Sequence, residues 1–214
     1  MSPKPVSGVV LRGGQSSRMG RDKAALTVAG EALLDRQLRL LAEAGCAERL
    51  VSVAAPPGPP PPAGPTQATG EMAGGEALRS SATGPHRWIE DRFREAGPLA
   101  GLERALARAH YDPVLVLAVD LPAMTAEFLR SLLAEAGPDC GVVPVIDGRF
   151  EPLVAVYPRL AHAEAEHRLQ RHERALQDFV RAGVAAGWLR SRTVSAADQR
   201  LFTNWNRPED LAAG

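Results

Sequence analysis

The sequence predicts an α/β fold, three layers deep around a mostly parallel central sheet, and three observations carry that prediction. Short apolar runs alternate along the chain with stretches whose apolar residues recur at helical spacing, the pattern of strand–helix–strand units with right-handed crossovers. The run Val114-Leu115-Val116-Leu117-Ala118-Val119 is apolar throughout and flanked by Pro113 and Asp120, as expected of a parallel strand covered on both faces. A loop rich in glycines, hydroxyls and fixed cations directly follows the first apolar run, and ligands of open parallel sheets sit beyond the strands' carboxyl ends.

Taken in order, residues 6–11 form the first strand and the glycine loop follows. Leu33, Leu34, Leu38 and Leu41 then repeat at helical spacing up to Gly45, a plausible stop. Residues 50–54 form a second strand that runs into Pro56-Pro57-Gly58-Pro59-Pro60-Pro61-Pro62, after which Gly, Ala, Thr and Ser dominate as far as Gly84. Such a stretch buries too little apolar surface to offset its ordering entropy, so residues 56–84 read as a flexible insertion. Residues 86–89 are strand-like and end at Glu90-Asp91. Gly97-Pro98 start a helix whose apolar positions include Leu102, Leu106 and Ala109, and the 114–119 strand follows. A helix over 125–136 precedes strands near 142–145 and 152–157. Between 160 and 182, Leu169, Leu176, Phe179 and Val180 give one apolar helical stripe, with Arg168, Arg171, Arg174 and Arg181 on a solvated face. His162, His167 and His172 recur every five residues, which turns each about 140° from the last on a helix, so they read as surface residues and not as a metal cluster.

Composition narrows the function classes. Lys+Arg and Asp+Glu both total 25 and the net charge is zero, so no global basic field recruits nucleic acid or an anionic membrane. Cys46 and Cys140 lie far apart, which argues against a thiolate zinc site or redox centre and fits core or near-core thiols in a reducing cytosol. The N-terminus has neither the apolar stretch nor the cleavage site of a signal peptide, and no window approaches ~18 uninterrupted apolar residues. A soluble, cytoplasmic protein is expected.

The segment Leu11-Arg12-Gly13-Gly14-Gln15-Ser16-Ser17-Arg18-Met19-Gly20-Arg21-Asp22-Lys23 carries most of the functional signal. Its glycines let backbone amides approach an oxyanion, and Arg18, Arg21 and Lys23 supply the opposing charge, which suits a phosphate-rich ligand. Its spacing is neither that of a P-loop nor that of G-x-G-x-x-G. Residues 13–23 reproduce the G-G-x-S-x-R-M-G-x-D-K signature of molybdenum cofactor guanylyltransferases and related MobA-like nucleotidyltransferases. The resemblance continues in Glu90-Asp91, Gly97-Pro98-Leu99-Ala100-Gly101-Leu102, Asp120-Leu121-Pro122, and Asn204-Trp205-Asn206-Arg207-Pro208-Glu209-Asp210-Leu211. Because these motifs resume beyond residues 56–84, the chain reads as one domain over 1–214 with an insertion.

The resemblance implies a Rossmann-like sandwich of the nucleotide-diphospho-sugar transferase type, and transfer of GMP from GTP to molybdopterin with Mg²⁺ as cofactor. It places GTP on Leu11, Arg12, Gly13, Gly14, Lys23, Asp91 and Asp120, with Mg²⁺ on Asp120 and with Arg18 and Lys23 as catalytic cations. It puts Asn204 and Asn206 on the molybdopterin side. Read from the residues alone, Asp120 could instead brace a turn or cap the next helix, Asp91 could pair with Arg92 or Arg94, and Lys23 could form an exposed salt bridge. Asn206 and Pro208 equally fit the start of a helix. Arg12 stands where the family usually has alanine, and Val53-Ala54-Ala55 lacks the asparagine the family often shows near the second strand's end. Cytidylyl transfer, or transfer to another phosphorylated acceptor, is the nearest enzymatic alternative, and a nucleotide-binding regulatory module is the alternative of another class. A monomer is expected, with cofactor-delivery or molybdoenzyme-maturation proteins as partners.

Overall fold

The first apolar run, Val6–Leu11 (β1), lies near the middle of the sheet, parallel to Cys46–Val53 (β4) on one side and to Val114–Ala118 (β6) on the other. Neither face of β1 meets water, which is why its apolar run does not alternate. Arg87–Glu90 (β5) continues the parallel set beyond β4. Beyond β6, Val154–Tyr157 (β9) runs antiparallel to β6 and to Gly141–Ile146 (β7), and Leu189–Thr193 (β10) closes that end parallel to β7. The order is β10-β7-β9-β6-β1-β4-β5, with the short strand Arg149–Phe150 (β8) folded back onto β7. Thr27–Val28 (β2) and Glu31–Ala32 (β3) make a separate two-stranded ribbon. These features come from a computed structural model, which describes residues 4–12, 27–28, 31–54, 84–137 and 139–204. All but the last residue of the 56–84 stretch lie outside that set, and β4 and β5, which flank it in sequence, pair directly.

Helices cover both faces. Leu33–Glu43 (α1) and Ala126–Glu135 (α3) pack on one, where they meet Val10, Val51, Leu115 and Leu117. Pro98–Arg108 (α2), Ala161–Gln170 (α4) and Leu176–Ala185 (α5) pack on the other, against Val9, Leu11, Leu50 and Val116. Successive residues of each central strand thus feed opposite cores, the period of two expected of strands. No helix of the described residues is long and apolar enough to cross a membrane.

The stripe expected as one helix over 160–182 is two. The break is a C-terminal cap: His172 has φ 62°, its N–H donates to Leu169 O at 3.1 Å, and Glu173 N–H donates to Arg168 O at 2.9 Å. This is the Schellman arrangement with histidine where glycine is usual, so no glycine marks the stop. His162 also departs from its surface expectation. It is half-buried, with Nε2 3.0 Å from Glu103 Oε1 on α2, whereas His167 and His172 are exposed. Among the described residues, no three His, Cys, Asp or Glu side chains form a metal-holding group. Both cysteines are free, Cys46 buried and Cys140 half-buried, and burial pushes the Cys46 thiol up to about 12.

Candidate active site

Because β5, β4, β1 and β6 are parallel, their carboxyl ends open on one edge. Neighbouring strands lie about 4.8 Å apart, so the residues that follow β5 and β6 stand roughly 14 Å from each other across that edge. Asp91 follows β5, Arg12 follows β1, and Asp120 follows β6 one residue on. Gly13, Gly14, Arg18, Lys23 and Asn206 lie outside the described residues.

At the tip of β1, Leu11 is buried and its carbonyl accepts the Val119 N–H at 3.2 Å, while the Arg12 N–H donates to Ser52 O at 3.3 Å. The Arg12 backbone donor thus continues the β1–β4 pairing. Leu11 faces α2, so strand alternation sends the Arg12 side chain to the other face. Its guanidinium lies over the Trp88 ring of β5, 5.5 Å from the centroid, within cation–π range.

Asp91 is anchored at the tip of β4. Its N–H donates to Val53 O at 2.9 Å, and its Oδ1 accepts the Ser52 hydroxyl at 2.5 Å. Burial pushes its carboxyl up to about 6. The Ser52 hydrogen bond opposes that shift, and the nearby Glu103 carboxylate adds to it. Arg92 turns away to pair with Glu166. The Gly97-Pro98 start of α2 brings this about: Gly97 has φ 70°, Pro98 opens the helix, and α2 settles close over the strand tips. Gly101 is the point of closest approach, where an added Cβ would stand 2.7 Å from Ser52 Oγ, 3.1 Å from Leu11 Cδ2 and 3.5 Å from Asp91 Oδ1.

Asp120 is half-buried in the loop between β6 and α3. It does not cap α3, because Thr125 does, its Oγ1 accepting the Phe128 N–H at 3.3 Å. The loop is held from α1: Gln37 Nε2 donates to Leu121 O at 2.9 Å and Val119 O at 3.4 Å, and Arg36 donates to Pro122 O at 2.8 Å and Met124 O at 3.3 Å. Asn204 is exposed and follows a 3-10 turn, Gln199–Phe202, whose Phe202 ring meets Phe128 of α3 edge-on at 5.3 Å. The chain's last described segment therefore packs on the helix that follows the Asp120 loop.

Sequence reasoning missed Ser52, Arg36 and Gln37. Ser52 lay within an apolar strand pattern, where only its place beside the tip could have marked it. Gln37 was detectable as the one polar residue on the Leu33–Leu38–Leu41 face of α1. Chemically, the edge offers a half-buried carboxylate, Asp120, of the type that suits a hard cation, a second carboxyl, Asp91, pushed up to about 6, and a guanidinium, Arg12, laid over the Trp88 ring.

The model of the MobA-like NTP transferase domain matches residues 8–186. A protein of Opitutus terrae named probable molybdenum cofactor guanylyltransferase is 39% identical over 208 residues, 96% of this chain and 92% of its own. The molybdenum cofactor guanylyltransferase of Xanthomonas euvesicatoria pv. vesicatoria is 31% identical over 212 residues, 96% of this chain and 92% of its own. Two solved structures share the fold. Molybdopterin-guanine dinucleotide biosynthesis protein A from Archaeoglobus fulgidus has a TM-score of 0.63 at 21% identity, covering 96% of this chain and 95% of its own. The 2-C-methyl-D-erythritol 4-phosphate cytidylyltransferase from Thermus thermophilus has 0.61 at 21%, covering 95% and 94%.

Proposed function

The chain belongs to the MobA-like NTP transferase family, and on that premise we propose that it transfers GMP from GTP to the terminal phosphate of molybdopterin. A phosphate oxygen of the acceptor bonds to the α-phosphorus of GTP, the bond from that phosphorus to the bridging oxygen breaks, and pyrophosphate leaves with the electron pair. The attacking oxygen is already anionic, so no side-chain base is required. Catalysis rests on alignment and charge neutralisation.

The observation that carries this reading is the likeness to guanylyltransferases over nearly the whole chain, 96% of it at 39% identity in one relative. The strand-edge geometry supports it. Asp120, half-buried in the loop after β6, carries the hard oxygen donors that a Mg²⁺ takes when water and phosphate oxygens fill its other positions, so the residue fits that ion. Bound there, Mg²⁺ would neutralise phosphate charge as a Lewis acid. Lys23 and Arg18 neutralise the phosphates, and the amides of Gly13 and Gly14 add donors. Asp91 contacts the nucleotide, and Asn204 with Asn206 serves the pterin. The enzyme acts as a cytoplasmic monomer that receives its acceptor from, or passes its product to, proteins of molybdoenzyme maturation.

Pyrophosphate release from GTP, with Mg²⁺ and molybdopterin present, tests the reading. The account expects release that needs the acceptor and falls by at least about 100-fold in Asp120→Asn with the fold intact. Near-normal release by that variant at saturating Mg²⁺ would remove Asp120 from its role, and no release by the unaltered protein would leave a binding module.

A further inference from the structure

We propose that Gln37 is a positioning residue: its buried amide, with Arg36 beside it, fixes the loop that carries Asp120 so that the carboxylate meets its cation in one orientation. The inference rests on the cation role given to Asp120 above and adds a residue that neither the motifs nor the strand edge singles out.

Gln37 has 0% exposure, on a face of α1 otherwise made of Leu33, Leu38 and Leu41, which are also fully or almost fully buried. Its Nε2 donates to Leu121 O and Val119 O, the carbonyls of the residues that follow and precede Asp120. Val119 and Leu121 are 3% and 4% exposed, so water does not readily substitute for the amide there. Arg36, one residue back, takes Pro122 O and Met124 O. Two backbone bonds complete the frame: Val119 N–H to Leu11 O at 3.2 Å, and Met124 N–H to Leu121 O at 3.2 Å. The Val119–Asp120 peptide is thereby held through its carbonyl by α1, the strand end just before it is tied to β1 by the Val119 N–H, and the Leu121–Pro122 peptide is held by α1. Asp120 thus sits in a turn whose backbone is held on either side of it, and the residue itself is half-buried.

Packing alone does not explain the amide. Gln37 Oε1 is buried without a hydrogen-bond partner, a cost that a methionine of similar length in the same leucine-lined space would not carry. What methionine lacks is the donor to the two carbonyls flanking Asp120. Groups that orient a metal-binding carboxylate affect metal affinity without touching the ion, typically by about 10–100-fold. Asp120 is held through its own backbone in the same sense.

The test uses the full chain with GTP, and Mn²⁺ as a spectroscopic stand-in for Mg²⁺, its binding followed by electron paramagnetic resonance. Gln37→Met is expected to weaken Mn²⁺ binding to the GTP complex about tenfold, with amide exchange accelerated at Leu121, Ala123 and Met124. Arg36→Ala, at a half-buried position, is expected to weaken it about threefold and decides the question if Gln37→Met does not fold. Folded variants that bind Mn²⁺ as tightly as the unaltered chain, while Asp120→Asn does not, overturn the inference alone. Mn²⁺ binding indifferent to Asp120→Asn overturns the cation role of Asp120 and this inference with it.

Discussion

Replacing Asp91 by asparagine is expected to make the protein more stable near neutral pH and less active. Burial beneath the start of α2 raises the Asp91 carboxyl from 3.8 to about 6, and at about 1.4 kcal/mol per unit the gap is worth roughly 3 kcal/mol. The sign follows from proton binding: the folded chain holds this proton more tightly than the unfolded one. The associated stability is therefore present below about pH 4, declines as pH rises through 6, and is lost above it. Asparagine still accepts the Ser52 hydroxyl but cannot ionise. The stability difference between variant and parent should therefore grow by roughly 2 kcal/mol in the variant's favour between pH 4.5 and pH 7.5. Urea unfolding followed by tryptophan fluorescence at several pH values measures it, and taking the difference cancels the other titrating groups. A difference that stays flat across that range would refute the reasoning, because it would mean that Asp91 is as well solvated folded as unfolded. Lower turnover alongside the higher stability would mark Asp91 as a carboxylate held at an energetic cost for its role.

Two further predictions address neighbouring residues. Gly101→Ala places a methyl 2.7 Å from Ser52 Oγ, so it should destabilise by about 1–3 kcal/mol where alanine would ordinarily strengthen a helix interior. Thermal unfolding shows the sign, and a gain in stability would mean that α2 rides higher over the strand tips than described. Arg12→Ala should leave the affinity for GTP undiminished while altering Trp88 fluorescence, because the guanidinium lies on that ring. Equal losses of affinity for GTP and CTP in a titration would make Arg12 a phosphate ligand instead.

Much of the framework was legible in the sequence because its strongest signals come from buried parallel strands. Val6–Leu11 and Val114–Ala118 are buried on both faces and mostly apolar, and two strand ends followed by Asp91 and Asp120 pointed to one edge. The weaker elements fail for definable reasons. In β10 only Leu189 is fully buried, so an edge strand of alternating arginines and hydroxyls carries no apolar pattern. The start of β4 holds Glu48 and Arg49, charges whose place in a strand becomes intelligible only once Glu48 accepts the Ser7 hydroxyl at 2.5 Å and the His110 N–H at 2.8 Å. The α4–α5 break hides behind a histidine at positive φ. In the site, the carboxylates announce themselves by position, whereas Ser52, Arg36 and Gln37 act on partners 39, 86 and 84 residues away. Contacts of that range are set by tertiary packing, which local spacing does not encode.

The most direct test of the central claim is the identity of the product. The full chain is incubated with Mg²⁺, molybdenum-loaded molybdopterin and equal amounts of GTP and CTP, and the pterin fraction is analysed by mass. The account predicts the guanine dinucleotide of the cofactor, with pyrophosphate released in equal amount. A cytosine dinucleotide as the main product, or an unmodified pterin, would contradict it.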